Sequence, residues 1–195
     1  MQKIICITGP MAAGKNYVCS LFENKGWLSI DADQLVHSAI QIAQDQIFSA
    51  FEKPVAEKNI NLKNTDGTLN RRALAKLIFP EPELLKKQED IVYPILIQET
   101  KKIIQQNPSK NIILNATVLY KTPELLNLCS QIFFVTAPRL IRLCRARKRD
   151  RLPLHQIITR FKSQRNLLKN YKASGVPVIK IYNIGPNAAK KHIFF

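Results

Sequence analysis

The chain has 195 residues, with 30 Lys and Arg against 14 Asp and Glu, a formal net charge of +16. Hydrophobic residues make up 46% and charged residues 23%, a globular composition that excludes a disordered chain, and the length suits one compact domain of about 100–200 residues. Apolar runs such as Ile4–Ile7 and Ile132–Val135 fall far short of the ~20 residues of a membrane span. The start of the chain lacks the pattern of a secretory signal, so no membrane partner and a cytoplasmic location are expected. Cys6, Cys19, Cys129 and Cys144, like His37, His155 and His192, are scattered without a CxxC pair, which excludes a finger-type zinc site and gives no disulfide framework. The excess positive charge implies anionic partners: nucleic acid, a membrane surface or a polyphosphate metabolite.

In chain order, Lys3–Thr8 is a short apolar run closed by Gly9-Pro10 and predicts a buried strand. Asn16–Lys25 places Val18, Leu21 and Phe22 at helical spacing and stops at Gly26. Trp27–Ile30 predicts a second strand that ends at Asp31-Ala32-Asp33. From Gln34 to Lys110 no strand is evident, while Leu69–Phe79 and Glu83–Gln106 carry helical patterns. This stretch, about 34–110, is expected to be a helical insert. Asn111–Leu114, Gln131–Thr136 and Val178–Tyr182 predict three more strands. Runs apolar on both faces and separated by helices predict an α/β fold with a five-stranded parallel sheet flanked by helices.

Gly9-Pro10-Met11-Ala12-Ala13-Gly14-Lys15-Asn16 lies between the first strand and the first helix. It has the spacing of a phosphate-binding loop, G-x-x-x-x-G-K-[ST], with Asn in the last place. In such a loop the glycines let the backbone wrap an anion, amides of the helix N-terminus point at it, and the lysine bridges β- and γ-phosphates. Asn16 replaces a hydroxyl that normally meets Mg²⁺ with an amide oxygen, also a hard donor. At the end of the second strand, residues two apart share a face. Asp31 and Asp33 are therefore expected to look into one cleft, one carboxylate taking a proton and the other ordering water around Mg²⁺. The competing reading makes Asp33 the cap of a helix that begins near Gln34. Arg139, Arg142, Arg145, Arg147, Lys148, Arg149 and Arg151 follow the fourth strand. A helix there presents Arg142, Arg145 and Arg149 on one face, as arginines closing over a transferring phosphoryl group or as a solvated or nucleic-acid-binding surface.

Together these motifs resemble the dephospho-coenzyme A kinases, over nearly the whole chain. Thr8–Asn16 stands at that family's phosphate loop and Ile30–Asp33 at its Asp-Ala-Asp. Asp66–Leu74, DGTLNRRAL, looks like the family's D-G-x-L-x-R-x-x-L. Arg145-x-x-x-Arg149-Asp150 followed by Arg160-Phe-x-x-Gln164 matches the lid, and Asn183-Ile-Gly185 resembles the Asn-x-Gly near the adenine. The chain departs from the family at Asn16, at Tyr93-Pro94 for His-Pro, and at Tyr182 for Asp. It departs again at Asn115-Ala-Thr117-Val-Leu-Tyr120-Lys121, where the family has Asp-x-Pro-Leu-Leu-Phe-Glu.

The resemblance implies a phosphate-loop kinase core with a substrate-side helical insert and a small arginine-rich lid at about 139–165. It implies ATP and dephospho-CoA as substrates, with Mg²⁺ as cofactor. Asp33, Lys15 and Arg145 would be catalytic. Ala12, Ala13, Gly14, Lys15, Asn16, Tyr17, Arg145, Arg149 and Asn183 would bind ATP, and Asp33, Arg71 and Tyr93 the acceptor. Asn16 and Asp31 would be the metal's neighbours. Three other readings stay open on the residues: a kinase for another nucleoside, nucleotide or small metabolite, a nucleotide-binding protein with weakened catalysis, and a basic nucleic-acid-binding protein. The last lacks interleaved aromatic and basic residues, so nucleic acid is not the expected partner.

Overall fold

The computed structural model of the chain describes residues 2–150, 152–185 and 188–190; Arg151 and His192 lie outside them. The described residues divide into two compact units, one made of 2–33 with 103–190 and the other of Gln34–Lys102.

In the first unit the five apolar runs form strands β1 (Ile4–Thr8), β2 (Leu28–Asp31), β3 (Ile112–Asn115), β4 (Gln131–Thr136) and β5 (Val178–Tyr182). All pairings are parallel, in the order β2-β3-β1-β4-β5. Burial follows this order. β3 is buried throughout and β1 nearly so, whereas the edge strand β5 exposes Ile179, Lys180 and Tyr182. Such unbroken apolar runs are what a strand covered on both faces requires. Helix α1 (Lys15–Glu23) lays Val18, Cys19 and Phe22 against Ile5, Ile7, Ile113 and Phe133. With every strand parallel, the ends of β1, β2 and β3 bring Gly9, Asp31 and Asn115 to one edge, where open α/β sheets hold ligands.

Helix α2 (Ala32–Ile42) starts directly after β2. Asp33 therefore sits in the first turn of a helix, and the two-residue strand periodicity expected of Asp31 and Asp33 does not apply. Nor is Asp33 a cap before Gln34, because the helix has already begun at Ala32. A carboxylate in a first turn is favoured by the helix dipole, so Asp33 suits its place there.

The second unit contains α3 (Gln44–Ala50), α4 (Glu52–Lys58), α5 (Arg71–Ile78) and most of α6 (Pro82–Gln106). Pro94 lies inside α6. Between α4 and α5 the chain makes a hairpin-like turn, with a single antiparallel bridge from Lys63 to Leu69. Asp66 Oδ1 accepts from the Thr68 amide and hydroxyl at 2.9 and 2.6 Å, and Gly67 takes φ +79°. Leu69 is buried, and Asn70 caps α5 by accepting the Ala73 amide at 3.1 Å. Most of DGTLNRRAL thus builds a turn and a helix start. Arg71 and Arg72 are left exposed in the first turn of α5, the end where the helix dipole disfavours cations.

The chain continues after β3 through a short 3₁₀ turn (Leu119–Lys121) and α7 (Pro123–Leu126) into β4. After β4 come α8 (Arg139–Asp150), α9 (Leu154–Ser163) and α10 (Leu167–Lys172). Ala146 of α8 and Ile157 of α9 pack on Met11 and Ala12, with Leu143, Leu152 and Phe161 around them. No helix among the described residues is long and apolar enough to cross a membrane.

Candidate active site

The loop from Gly9 to Lys15 is held by its carbonyl groups. The Gly9 carbonyl accepts from Lys15 Nζ at 3.2 Å, and the Met11 carbonyl from Arg142 Nε at 2.9 Å. The Ala13 carbonyl accepts from Asn183 Nδ2 at 2.9 Å and from Arg145 Nη1 at 3.4 Å. The Met11 amide donates to Gln164 Oε1 at 2.7 Å. Basic and amide side chains thus draw three loop carbonyls toward themselves, the polarity needed in a loop that must offer N–H groups to an anion. Helix α1 begins with no side-chain cap and no acidic residue in its first turn, so its positive end is uncompensated.

Two glycines are required here. A Cβ on Gly9 would stand 2.0 Å from the Val135 carbonyl oxygen, and one on Gly14 2.0 Å from Asn183 Nδ2. Both have positive φ, +146° and +96°, and Ala12 also sits at +60°, a conformation costly for a residue with a side chain.

Burial lowers the Lys15 ammonium pKa, and Arg149 lowers it further; Asp33 and Asp31 act in the opposite direction. Beside the loop, a cavity of about 300 Å³ is lined by Ala12, Gly14, Arg145, Lys148 and Arg149. The Arg149 guanidinium donates to both carboxylate oxygens of Asp150, at 2.6 and 3.0 Å. The single face expected of Arg142, Arg145 and Arg149 divides. Arg145 and Arg149 line the cavity, whereas Arg142 is buried with its guanidinium 4.2 Å over the Phe161 ring.

At the sheet edge, Asn115 Nδ2 donates to Asn16 Oδ1 at 3.2 Å, and Asn115 Oδ1 is buried with no hydrogen-bond partner. Thr117 Oγ1 donates to Asp33 Oδ2 at 3.3 Å. Tyr17 lies in the second position after Lys15 on α1 and is half-buried. Among the residues singled out from the sequence, the first unit gathers Ala12–Tyr17, Asp31, Asp33, Arg145, Arg149 and Asn183, while Arg71 and Tyr93 belong to α5 and α6 of the second. The sequence places Met11 in the loop motif, Arg142 and Lys148 in the basic stretch, Gln164 in the family's lid signature and Thr117 among the departures. It does not signal the contacts of Met11 with Arg142 and Gln164 or that of Thr117 with Asp33, which join residues far apart in the chain.

Among the described residues no group of three or more His, Cys, Asp and Glu is placed to hold a metal ion. An ion here would depend on phosphate oxygens, waters and a few protein oxygens, the usual situation for Mg²⁺. The donor set fits that arrangement: the Asn16 amide oxygen, the Asp31 carboxylate, and the buried Asn115 oxygen that still lacks a donor.

The family model described as dephospho-CoA kinase matches residues 3–179. A dephospho-CoA kinase of Treponema denticola is 34% identical over 192 residues, covering 96% of this chain and 85% of that protein. One of Treponema pallidum is 31% identical over 186 residues, covering 93% and 87%. Among solved structures, TT1252 from Thermus thermophilus superposes with a TM-score of 0.81 at 24% identity, covering 98% of this chain and 93% of that one. That likeness carries the fold, and the sequence matches carry the lineage, since they run through the phosphate loop, the turn before α5 and the arginines of α8 alike. The chain belongs to the dephospho-CoA kinase family.

Proposed function

We propose that the protein transfers the γ-phosphoryl group of ATP to the ribose 3′-hydroxyl of dephospho-CoA, giving coenzyme A and ADP, the last step of coenzyme A synthesis. The observation that carries this reading is the pairing of a carbonyl-anchored phosphate loop with a carboxylate, Asp33, that shares the electrostatic environment of Lys15.

Each residue's part follows from its chemistry. Lys15 and the first turn of α1 bind the β- and γ-phosphates. Arg145 and Arg149 approach from α8, where guanidinium groups stabilise charge on the transferring phosphoryl group; Arg149 must first exchange Asp150 for phosphate. Ala12, Ala13, Gly14 and Tyr17 form the wall of the ATP site, and Asn183 keeps the Ala13 carbonyl turned away from it. Asp33 accepts the proton of the acceptor hydroxyl as the oxygen–phosphorus bond forms and the bond to ADP breaks. The family resemblance supports acceptor-binding roles for Arg71 and Tyr93. Asn16 and Asp31 would hold Mg²⁺, which when bound neutralises phosphate charge. Exclusion of water matters, because water competes as acceptor and wastes ATP.

The test is ADP release from ATP and Mg²⁺ with dephospho-CoA, run beside a panel of nucleosides and nucleotides, with product mass checked for one added phosphoryl group. Turnover confined to dephospho-CoA is expected. Turnover with another acceptor alone would overturn the substrate, and ATP binding without any turnover would overturn catalysis. D33N is expected to abolish turnover while ATP affinity, measured by calorimetry, stays within about twofold, because only the proton acceptor is removed.

A further inference from the structure

The turn after β3 carries a hydroxyl network that ends on Asp33. The Tyr171 side chain, on α10, is fully buried and fixed edge-on between the Tyr120 and Phe134 rings, at centroid distances of 5.4 and 6.4 Å. Its hydroxyl accepts from the Leu119 amide at 2.8 Å and donates to the Thr117 carbonyl at 3.2 Å. Thr8 Oγ1, at the end of β1, donates to the same carbonyl at 3.3 Å. Two hydroxyls therefore fix the backbone at Thr117, and from that fixed backbone the Thr117 hydroxyl reaches Asp33 Oδ2 at 3.3 Å. The last contact is long for a hydroxyl donor, as catalytic hydrogen bonds often are before substrate binds.

We propose that Thr117 is a positioning residue for Asp33, and that Tyr171 holds Thr117 to that task. The proposal rests on Asp33 being the proton acceptor. Asp33 is exposed at the start of α2, where a carboxylate with no fixed neighbour would sample several rotamers. The Thr117 hydroxyl engages Oδ2 and leaves Oδ1 as the oxygen that takes the acceptor's proton. Thr117 stands where the family's run has Pro, which has no donor to offer, so this positioning belongs to this chain's own sequence.

The experiment is steady-state kinetics on the full chain. T117V keeps the shape and removes the donor; kcat is expected to fall about tenfold with KM for ATP unchanged, the order of loss from a misplaced catalytic group. T117S is expected to recover most of that loss, and T117A replaces T117V if the valine variant does not fold. Y171F is expected to lower kcat in the wild-type background and to add nothing in the T117V background, since both act on one contact. Wild-type kcat in T117V and T117A would overturn the proposal, as would failure of T117S to recover activity. A Y171F loss of equal size in both backgrounds would overturn the part given to Tyr171. D33N separates the two readings: if it is inactive while T117V is wild-type, only the positioning claim fails, and if it is active, the assignment of Asp33 fails first.

Discussion

Asn115 has one buried amide oxygen without a donor and one amide nitrogen given to Asn16. An unmade buried hydrogen bond costs about 1–3 kcal/mol, so the arrangement is poorly satisfied until something supplies a donor. Water on a hydrated Mg²⁺ is such a donor. The N115D substitution turns this half-satisfied amide into a buried charge facing the Asn16 oxygen. Without metal the variant is expected to lose about 1–3 kcal/mol, or roughly 2–4 °C of melting temperature per kcal/mol in a chain of this size. Mg²⁺ with ATP should return more of that loss than it adds to the wild type, because the new carboxylate binds the hydrated ion. Calorimetric melting with EDTA and with Mg²⁺ and ATP checks both halves. A variant that melts alike in both conditions would remove Asn115 from the metal's surroundings.

Helices α8 and α9 share one hydrogen-bonded anchor on the phosphate loop, Met11. Met11 gives its amide to Gln164, just beyond α9, and its carbonyl to Arg142 of α8. Met11 thus ties the position of α8 and of the end of α9 to the backbone of the phosphate loop. Removing one such bond by Q164A is expected to raise the Kd for ATP about tenfold, close to the ~1.4 kcal/mol worth of a hydrogen bond of this kind. Fluorescence titration with a labelled ATP analogue measures it; unchanged affinity would mean that the loop keeps its shape without the Gln164 bond. The strands at either side were legible in the sequence because each is a continuous apolar run, and β4 and β5 coincide with the predicted Gln131–Thr136 and Val178–Tyr182. The role of Met11 was not legible, since its partners lie 131 and 153 residues away and periodicity reports only neighbours along the chain. The start of α2 was misread for a related reason. Asp31-Ala32-Asp33 carries no local turn signal, so nothing along the chain marks the change from β2 to α2 at Ala32.

The formal charge of +16 is a property of the entire chain, and its use depends on where the charge meets substrate. Arg145, Lys148 and Arg149 gather around the cavity beside the phosphate loop, and Arg71 and Arg72 are exposed at the start of α5. ATP and dephospho-CoA are both polyanions, so attraction to the chain's excess positive charge is expected to raise their encounter rate by a factor that salt reduces. Screening acts over a Debye length of about 8 Å at physiological ionic strength and about 3 Å at 1 M, which spares the short contacts made after binding. Raising salt from low to near-molar concentration is therefore expected to lower kcat/KM for both substrates about tenfold or more while kcat changes little. A flat kcat/KM would detach the excess charge from catalysis. Duplex DNA provides the contrast. Neutralising phosphates releases counterions, so a nucleic-acid-binding surface would show affinity falling steeply and linearly with the logarithm of salt. The kinase reading expects DNA to compete with ATP only at low salt and to lose its effect at physiological ionic strength, where turnover continues. Inhibition by DNA that persists there would give the basic surface a second partner.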